Sequence, residues 1–277
     1  MIKYKIDRNI LSVFHIIEMN RRNIMIKVFV NGCNGTMSKQ VLLEINKSED
    51  MTVVGGFDKE PNKAYDFPVY TDINKIKVDA DVIIDFSVPS ATLEILTYAK
   101  KSQTPIVIAT TGFSNTDLLM IEEASHSIPI FRSSNMSFDI AVMKKVIASL
   151  SHILEGTDIE IIETHHNRKL DAPSGTALAL ADAINKEFDN SYEYVYSRHE
   201  RREPRNKREI GISSVRGGNI VGEHSVQFFG PYETFEIKHI AHSRSVFAQG
   251  AIKAAKFLIR QKPGSYSMED LMDINID

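Results

Sequence analysis

One stretch carries most of the information about architecture: Met25-Ile26-Lys27-Val28-Phe29-Val30-Asn31-Gly32-Cys33-Asn34-Gly35-Thr36-Met37-Ser38. Its first half, residues 26–30, is a short apolar run typical of a buried strand. A helical pattern follows over 36–46, with one apolar face made of Met37, Val41, Leu42 and Ile45. Because glycines separate the two patterns, the stretch predicts a strand, a tight turn and a helix.

The alternation of strand and helix continues through the first half of the chain. Four further apolar runs, each bounded by turn signals, are separated by helical patterns: 51–57, 81–86, 106–109 and 128–131. Strands that are joined by crossover helices lie parallel to one another. The pattern therefore predicts an α/β fold with a Rossmann-like, doubly wound parallel sheet.

The pattern changes after Asn135. Helices are predicted at 140–154 and 176–188, and strands at 159–164, 210–215, 219–228 and 234–241. Gly217-Gly218 and Gly230-Pro231 supply turns between the last three strands, which indicates a meander rather than a βαβ unit. We therefore expect a second domain of the α+β class with an open mixed sheet.

Composition excludes several classes of protein. The chain has 277 residues, enough for two domains, and its formal net charge of -3 gives no reason to expect a nucleic acid or an acidic membrane as partner. No apolar run approaches the roughly 18 residues that span a bilayer. A single cysteine, Cys33, cannot form an intramolecular disulfide and fits a reducing compartment. We expect a cytoplasmic protein without a membrane partner.

Residues 1–24 need a separate interpretation. They combine basic side chains with an apolar patch at 10–17 and lack a convincing small-residue cleavage site, so we do not expect a secretory signal. One interpretation is a short amphipathic helix that rests on a partner or a membrane surface. We favour an upstream start codon or a tail, because a complete strand pattern begins immediately after Met25.

The glycine turn has the features of a dinucleotide site. Gly32 and Gly35 stand where backbone N–H groups and a helix N-terminus can hold a pyrophosphate, and Ser38 takes the place of the expected third glycine. Asp58 ends the second strand about 20 residues later, where an acid accepts hydrogen bonds from a ribose. Lys59 could meet a 2′-phosphate. Glycines kept for steric reasons and a solvated acid–base pair are the alternatives, but the two features in register favour dinucleotide binding.

Cys33 lies in the same turn. A thiol at a helix N-terminus can become a reactive nucleophile. No histidine is near it in the sequence, however, and small side chains are common in such turns. We interpret Cys33 as a spacer.

The segment richest in reactive side chains begins at a strand end: Glu163-Thr164-His165-His166-Asn167-Arg168-Lys169-Leu170-Asp171-Ala172-Pro173-Ser174-Gly175-Thr176-Ala177. Ser174 is a natural N-cap, and the free N–H groups of Gly175 and Thr176 make an anion site beside the cationic Lys169. A histidine can supply a proton near neutral pH. The alternatives are a capped surface helix and a zinc site. Adjacent histidines on a strand face opposite sides and no thiol is close, so we expect no metal.

This segment resembles the signature of dihydrodipicolinate reductases, E-x-H-H-x-x-K-x-D-A-P-S-G-T-A, and matches it without a gap. The resemblance extends over nearly everything after Met25. Further matching pieces are Asp85-Phe86-Ser87-Val88-Pro89, Thr110-Thr111-Gly112-Phe113, Ser134-Asn135-Met136-Ser137, residues 215–224 and Met268-Glu269-Asp270-Leu271.

The resemblance implies the reduction of 4-hydroxy-tetrahydrodipicolinate, a small dicarboxylate, to tetrahydrodipicolinate by NADH or NADPH, in diaminopimelate and lysine biosynthesis. His165 would be the proton donor, and Lys169 would assist charge and substrate binding. His166, Gly175 and Thr176 would hold a substrate carboxylate. The residues implied to line the dinucleotide are Gly32, Asn34, Gly35, Thr36, Met37, Asp58, Lys59, Phe86, Ala109, Thr110, Thr111, Gly112, Ser134 and Met136.

The resemblance also implies the domain organisation. Residues 25–134 and 245–277 would form the dinucleotide-binding domain, with the last predicted helix, 246–259, packing back on it. Residues 135–244 would bind substrate and form a homotetramer through the open sheets. Residues 1–24 would be an N-terminal extension that need not be native.

Three positions depart from the family pattern. Ser38 replaces a glycine, Ala109 stands where a glycine is usual before Thr-Thr-Gly, and Met136 differs in a segment near the nicotinamide. These departures bear on cofactor affinity and leave the preference between NADH and NADPH open. Two other classes of protein fit less well. A non-catalytic dinucleotide sensor is expected to lose either the His165 and Lys169 pair or the anion site at Gly175 and Thr176. An aldehyde or sugar reductase does not require a histidine pair, a lysine and an anion-binding helix start together.

The basic stretch at 198–208 could suggest a nucleic-acid surface. Interleaved Glu200, Glu203 and Glu209 neutralise much of its charge, and aromatic residues are absent. We expect a solvated loop and no nucleic-acid partner.

Overall fold

The computed structural model describes residues 25–199 and 201–272, so the interpretation of residues 1–24 lies outside the described residues. The strands are β1 Ile26–Asn31, β2 Met51–Phe57, β3 Val69–Tyr70, β4 Val82–Asp85, β5 Ile106–Ile108, β6 Pro129–Arg132, β7 Asp158–His165, β8 Glu193–Val195, β9 Glu209–Arg216, β10 Gly222–Phe229, β11 Thr234–Ala241 and β12 Gly264–Tyr266. The helices are α1 Thr36–Ile45, α2 Pro89–Ser102, α3 Asn115–Ser125, α4 Phe138–Ile153, α5 Gly175–Lys186 and α6 Ser245–Leu258, with a 3-10 turn at Ile73–Lys75.

The first sheet has seven parallel strands in the order β12-β6-β5-β4-β1-β2-β3. Helices α1 and α6 cover one face and α2 and α3 the other. Burial on both faces explains why β1 and β4 are continuous apolar runs rather than alternating ones. The Rossmann-like prediction is confirmed. The chain order reverses between β1 and β4, and ligands of such sheets bind at that switch point.

Local chemistry sets the ends of the helices around this sheet. Ser114 and Asp117 form a capping box at the start of α3. Pro89 lies in the first turn of α2, which ends at Gln103 in the left-handed conformation, with a φ of 56°. On α1 the buried face includes Ser38, whereas Met37 is only half-buried. The buried face of α1 is therefore rotated slightly from the predicted one. Ser38, which differs from the family pattern, lies in the protein interior.

The second sheet is mixed, in the order β11-β10-β7-β9-β8. Strand β7 is central, parallel to β9 and antiparallel to β10, and β10 and β11 form a hairpin. The predicted meander is therefore wrong, because β9 and β10 lie on opposite sides of β7. Residues 217–221 cross over the end of β7, where Gly217 donates to the carbonyl of His165 (2.9 Å) and His166 donates to that of Ile220 (2.8 Å). The open mixed sheet itself is confirmed.

One face of the second sheet packs on α4 and α5 around a separate core. Its fully buried members include Ile147, Ile161, Leu180, Ile184, Ile210 and Val226. The core of the first sheet is completed from the other end of the chain by α6, which contributes Ala248, Ala251, Ala254, Ala255 and Leu258. Within the described residues, none of the helices has the length and apolar character needed to cross a membrane.

Helix α6 approaches the segment between the sheets very closely. A Cβ on Gly250 would lie 1.6 Å from the carbonyl oxygen of Met136. Only glycine permits this contact between the helix and the backbone. The last helix is therefore fixed both to the first sheet and to the chain segment that leads into the second domain.

Candidate active site

The turn between β1 and α1 is shaped for close approach by a ligand. Gly32 has a φ of +71°, and a Cβ there would lie 2.9 Å from the Cβ of Ser87. Gly35 is the N-cap of α1, and in the described structure no side chain caps this end and no acidic residue lies in the first turn. Free N–H groups at a helix N-terminus favour an anion. The turn thus fits a pyrophosphate.

Asp58, the acid predicted to bind a ribose, lies next to this turn. Its Oδ2 accepts a hydrogen bond from the backbone N–H of Asn34 (3.0 Å). The Asn34 side chain donates to the carbonyl of Glu60 and accepts from Asn62, both at 2.9 Å. Lys59 follows on the exposed surface. The glycine turn and the loop after β2 therefore form one connected surface.

Cys33 fills space inside the turn. It is fully buried, and its Sγ lies 2.7 Å from the position that a Cβ on Gly56 of β2 would take. Burial, with a contribution from the negative charge of Asp58, raises the pKa of the thiol to about 12. A thiol that stays protonated is a poor nucleophile. The structure agrees with the interpretation of Cys33 as a spacer.

A buried carboxylate ties three turns of this sheet edge together. Asp85, the last residue of β4, accepts hydrogen bonds from Asn31 Nδ2 (2.8 Å), Ser87 Oγ (2.5 Å), Thr92 Oγ1 (2.6 Å) and Thr110 Oγ1 (2.9 Å). Burial raises the pKa of Asp85, and these donors oppose that shift only in part. Because Asn31, Ser87 and Thr110 lie at the ends of β1, β4 and β5, the carboxylate fixes the loops that would face a dinucleotide.

The other positions predicted at the dinucleotide differ in accessibility. Those that are half-buried or exposed are Thr36, Met37, Phe86, Ala109, Thr111, Gly112 and Ser134. The hydroxyl of Thr110 is engaged with Asp85, and the Met136 side chain is 2% exposed inside the core of the first sheet. Contact between a ligand and either of these two residues would therefore have to come from the backbone.

The second candidate region lies where β7 ends. Strand periodicity places Glu163 and His165 on the same face. Oε2 of the fully buried Glu163 lies 2.5 Å from Nδ1 of His165, and Oε1 accepts from the backbone N–H of Ser174 (3.1 Å). Arg216 of β9 donates to both oxygens at 2.8 Å. Burial by itself raises the pKa of Glu163, but the hydrogen bonds from His165 and Arg216 outweigh it and hold that pKa well below its usual range.

A second buried histidine, His224 of β10, packs against His165. The rings meet edge to face, with centroids 5.1 Å apart, and Nε2 of His224 lies 3.1 Å from Oγ of Ser174. Burial, reinforced by the neighbouring His165, lowers the pKa of His224 to about 3. A ring that stays neutral near pH 7 cannot supply a proton. His224 therefore serves in this arrangement as a packing partner of His165 and a hydrogen-bond partner of Ser174.

Helix α5 begins beside these histidines. Ser174 is its N-cap, as predicted, and its hydroxyl accepts from the N–H of Ala177 (3.2 Å). The N–H groups of Gly175 and Thr176 belong to the first turn, where no helical acceptor exists. The Thr176 hydroxyl accepts from the amide of Asn135 (2.8 Å), which lies between β6 and α4. This bond joins the two candidate regions beside a cleft of about 220 Å³.

Basic side chains surround the start of α5. Nζ of Lys169 lies 2.9 Å from Asp171, and the lysine side chain is 22% exposed. Nδ1 of His166 is buried without a partner in the described part of the chain. Desolvation and the cations Arg168 and Arg244 lower the pKa of His166. In residues 25–199 and 201–272, no three His, Cys, Asp or Glu side chains gather as metal ligands would.

Comparison with known families shows to which family the chain belongs. Two family models cover nearly all of the described chain: "Dihydrodipicolinate reductase, N-terminus" matches residues 26–136 and "Dihydrodipicolinate reductase, C-terminus" matches residues 139–272. The chain belongs to the dihydrodipicolinate reductase family. Ser137 and Phe138 lie between the two matches and are the N-cap and the first residue of α4.

Individual members of the dihydrodipicolinate reductase family match over almost their full length. The 4-hydroxy-tetrahydrodipicolinate reductase of Caldanaerobacter subterraneus subsp. tengcongensis is 52% identical over 249 residues, 90% of this chain and 99% of that protein. The protein of the same name from Clostridium tetani is 43% identical over 253 residues, 90% of this chain and 98% of that one. A dipicolinate-bound dihydrodipicolinate reductase from Paenisporosarcina sp. TG-14 has a TM-score of 0.73 and 25% identity, covering 89% of this chain and 99% of that structure.

Sequence reasoning missed the partners of His165. Glu163 opens the dihydrodipicolinate reductase signature, and its spacing of two residues from His165 on a strand could have placed both on one face. Arg216 and His224 carry no such signal. They come from β9 and β10, and only the strand order of the sheet brings them to β7.

The basic stretch, residues 198–199 and 201–208, is a largely exposed loop, as predicted. Arg198 and Arg201 both pair with Glu209 at 2.8 Å, and Arg205 pairs with Glu160 at 2.9 Å. Glu160 and Glu209 lie on β7 and β9, so these ion pairs hold the loop on the second sheet. The solvated-loop prediction is confirmed for the described residues, and ion pairs with strands outside the stretch hold the loop in place.

Proposed function

We propose that this protein reduces 4-hydroxy-tetrahydrodipicolinate to tetrahydrodipicolinate, with loss of water, in diaminopimelate and lysine biosynthesis. One observation carries the proposal: His165, held by the buried carboxylate of Glu163, lies beside the N-terminus of α5. A proton donor next to an anion site suits the reduction of a small ring that bears carboxylates. The relatives named for this reaction and the dipicolinate-bound neighbour support the assignment.

Each residue of the proposed substrate site has a role that follows from its position. His165 donates the proton that accompanies hydride addition to the ring. Lys169 stabilises the negative charge that develops on the ring. Gly175 holds a substrate carboxylate through its free N–H group, and Thr176 holds it through its N–H group and hydroxyl. His166 helps to hold the same carboxylate.

The proposed cofactor is NADH or NADPH, which when bound supplies the hydride. Gly32, Gly35 and the uncapped N-terminus of α1 hold the pyrophosphate. Asp58 accepts from the ribose hydroxyls, and Lys59 meets the 2′-phosphate of NADPH. The remaining residues proposed to line the dinucleotide are Asn34, Thr36, Met37, Phe86, Ala109, Thr110, Thr111, Gly112, Ser134 and Met136.

We also propose that the protein is a homotetramer in which residues 135–244 supply the contacts and residues 25–134 and 245–277 bind the dinucleotide. The support is the face of the second sheet that lies away from α4 and α5. Its apolar side chains include Ile162, Val215, Phe229 and Ile240, exposed by 37%, 47%, 39% and 43%. An exposed apolar sheet face of this kind is typically covered by another protein surface. Light scattering should give four times the chain mass, whereas a monomer would contradict the proposal.

The reaction is tested by supplying substrate generated in situ from pyruvate and aspartate semialdehyde and following the absorbance of the reduced nicotinamide. We expect substrate-dependent oxidation of both NADH and NADPH. Thr176→Val, which removes the hydroxyl and keeps the shape, should mainly raise KM, because the carboxylate is present in both the ground state and the transition state. Tight dinucleotide binding without turnover would instead identify a non-catalytic sensor.

A further inference from the structure

We infer that Glu163 is a positioning residue that determines which nitrogen of His165 carries the donated proton. The inference rests on the proposed function, since it assigns a partner to the residue proposed as proton donor. Three elements meet at the Glu163 carboxylate: its own strand β7 through His165, strand β9 through Arg216, and the start of α5 through Ser174. The side chain of Glu163 is 0% exposed.

The hydrogen-bond pattern assigns the proton on His165. Arg216 and the backbone N–H of Ser174 are donors and cannot accept, so Glu163 is held as an acceptor on both oxygens. A carboxylate oxygen 2.5 Å from a ring nitrogen requires a proton between them. That proton therefore belongs to Nδ1 of His165. The proton exchanged with substrate must leave from Nε2.

The surroundings leave that second nitrogen accessible. A Cβ on Gly222 would lie 3.1 Å from Nε2 of His165, so the absence of a side chain at the first residue of β10 keeps the space open. Within the described residues, Nδ1 of His166, His224 and His239 is buried without a partner, whereas the His165 side chain keeps 10% of its surface exposed. Glu163 thus engages one side of the ring, and Gly222 leaves the other side free.

Among the described residues, Glu163 is the acidic side chain in contact with the His165 ring, and the other charged groups around it are basic. Arg216 faces it from β9, the neutral His224 from β10, and Lys169 and His166 from the loop that follows β7. After the ring accepts a proton at Nε2 from solvent, the negative Glu163 stabilises the resulting imidazolium among these basic neighbours. Proton donation at Nε2 returns the ring to its neutral form with Nδ1 still protonated.

Glu163→Gln tests this assignment, with Glu160→Gln as its matched control. Ser174 and Nη2 of Arg216 both donate at the Oε1 position and favour the Gln oxygen there. The amide nitrogen then takes the Oε2 position, where it loses the bond from Nη1 of Arg216 and donates to Nδ1. His165 is then forced into the Nε2–H form without an anionic partner. We expect kcat to fall at least about a hundredfold with little change in KM for NADH. Glu160 is on the same strand and also pairs with arginine but does not touch His165, so Glu160→Gln should keep kcat.

The ring nitrogens give a readout that a purely structural role would not change. In protein labelled with ¹⁵N-histidine, His165 of the unmodified chain should show the Nδ1–H form when neutral, and Glu163→Gln should show the Nε2–H form. Glu163→Asp keeps the carboxylate and should keep the Nδ1–H form with an intermediate kcat. If Glu163→Gln does not fold, the spectrum of the unmodified chain still decides. An Nε2–H form there, or a folded Glu163→Gln with kcat within about threefold of normal, overturns the inference. If the unmodified chain has no reductase activity, the proposed function fails, while the spectrum still tests the Glu163–His165 contact.

Discussion

Asp85 and Glu163 are both fully buried carboxylates near the carboxyl end of a strand, one in each sheet. The donors to Asp85 are neutral: one amide and three hydroxyls. Those to Glu163 include the guanidinium of Arg216 on both oxygens. The pKa of Asp85 is therefore raised by burial, whereas the pKa of Glu163 is held below its usual range despite burial.

This difference separates two uses of a buried acid. Asp85 joins three loops through neutral donors, so it organises a surface on which a ligand can rest. Glu163 remains an anion next to a histidine, so it can control where a proton lies. We therefore expect changes at the first sheet to alter binding and changes at the second sheet to alter turnover.

The largest effect is expected at the second sheet. His165→Gln should lower kcat by roughly a hundred- to a thousandfold with KM nearly unchanged, because a proton donor acts only in the transition state. Steady-state kinetics measure both constants, with His152→Gln, at a surface histidine paired with Glu187, as control. Near-normal kcat in His165→Gln, together with loss of turnover in Thr176→Val at saturating substrate, would move the donor to Lys169 or to water.

Stability should depend on pH with opposite sign at the two carboxylates. The pKa of Glu163 is below its ordinary value of 4.5, so its contribution is present above that pH and is lost as pH falls through the lowered pKa. Glu163→Gln should therefore cost about 3 kcal/mol near neutral pH and much less in acid. The pKa of Asp85 is above its ordinary value of 3.8, so its ionisation costs stability as pH rises from there. The loss of stability caused by Asp85→Asn, relative to the unmodified chain, should therefore be smaller at neutral pH than in acid.

Urea unfolding of both variants at several pH values measures how the free energy of unfolding changes with pH. If the free energy of unfolding changes with pH in the same way for Asp85→Asn and Glu163→Gln, the neutral and the charged donors have the same effect on stability. The contrast between the two regions would then be wrong. Asn31→Ala, which removes one neutral donor to Asp85, is a useful companion variant. It should lower stability by about 1 kcal/mol at neutral pH and by less in acid, because the amide donor favours the ionised form of Asp85.

A smaller effect is expected at the cofactor end. Lys59→Ala should raise KM for NADPH about five- to tenfold and leave KM for NADH within about twofold, since only NADPH carries the 2′-phosphate. In the unmodified chain Asp58 favours NADH and Lys59 favours NADPH. The KM values for NADH and NADPH should therefore differ by less than roughly thirtyfold, or about 2 kcal/mol. A difference above a thousandfold, or an equal loss for both cofactors in Lys59→Ala, would contradict this assignment.

The smallest effect is expected at Cys33. Cys33→Ala should keep most of the activity, and at least roughly a tenth, because hydride transfer needs no thiolate and the buried thiol is protonated. Stability should fall by about 1 kcal/mol through lost packing beside Gly56. Complete inactivation with normal dinucleotide binding would mean that a residue of the cofactor end takes part in the chemistry.

The first sheet could be predicted from local patterns, whereas the second could be predicted only in part. Parallel strands buried on both faces leave continuous apolar runs, and β1, β2, β4, β5 and β6 were found within a few residues of their ends. The edge strands β3, β8 and β12 have two or three residues, too few to show a period. The prediction of a meander was wrong because a turn such as Gly217-Gly218 shows that the chain reverses direction. It does not show which strand β10 pairs with after the turn.

The same limit applies to the candidate sites. Residues adjacent in sequence, such as the segment 163–177 and the glycine turn, were identified from their spacing. The acceptor role of Asp85 was not identified, because its donors come from three separate loops. Arg216 lies 53 positions from Glu163 and is brought to it by the pairing of β9 with β7. Contacts between distant strands depend on the whole sheet, and no local pattern encodes them.

The return of α6 to the first sheet affects folding during synthesis on the ribosome. The chain leaves the ribosome N-terminus first, and its domains fold as they become complete. The core of the first sheet, however, needs Ala251, Ala255 and Leu258, which are made after all of β7 to β11. The second sheet can therefore assemble while the first sheet still lacks helix α6 on one of its faces. The domain that is first in the sequence is the last to be completed.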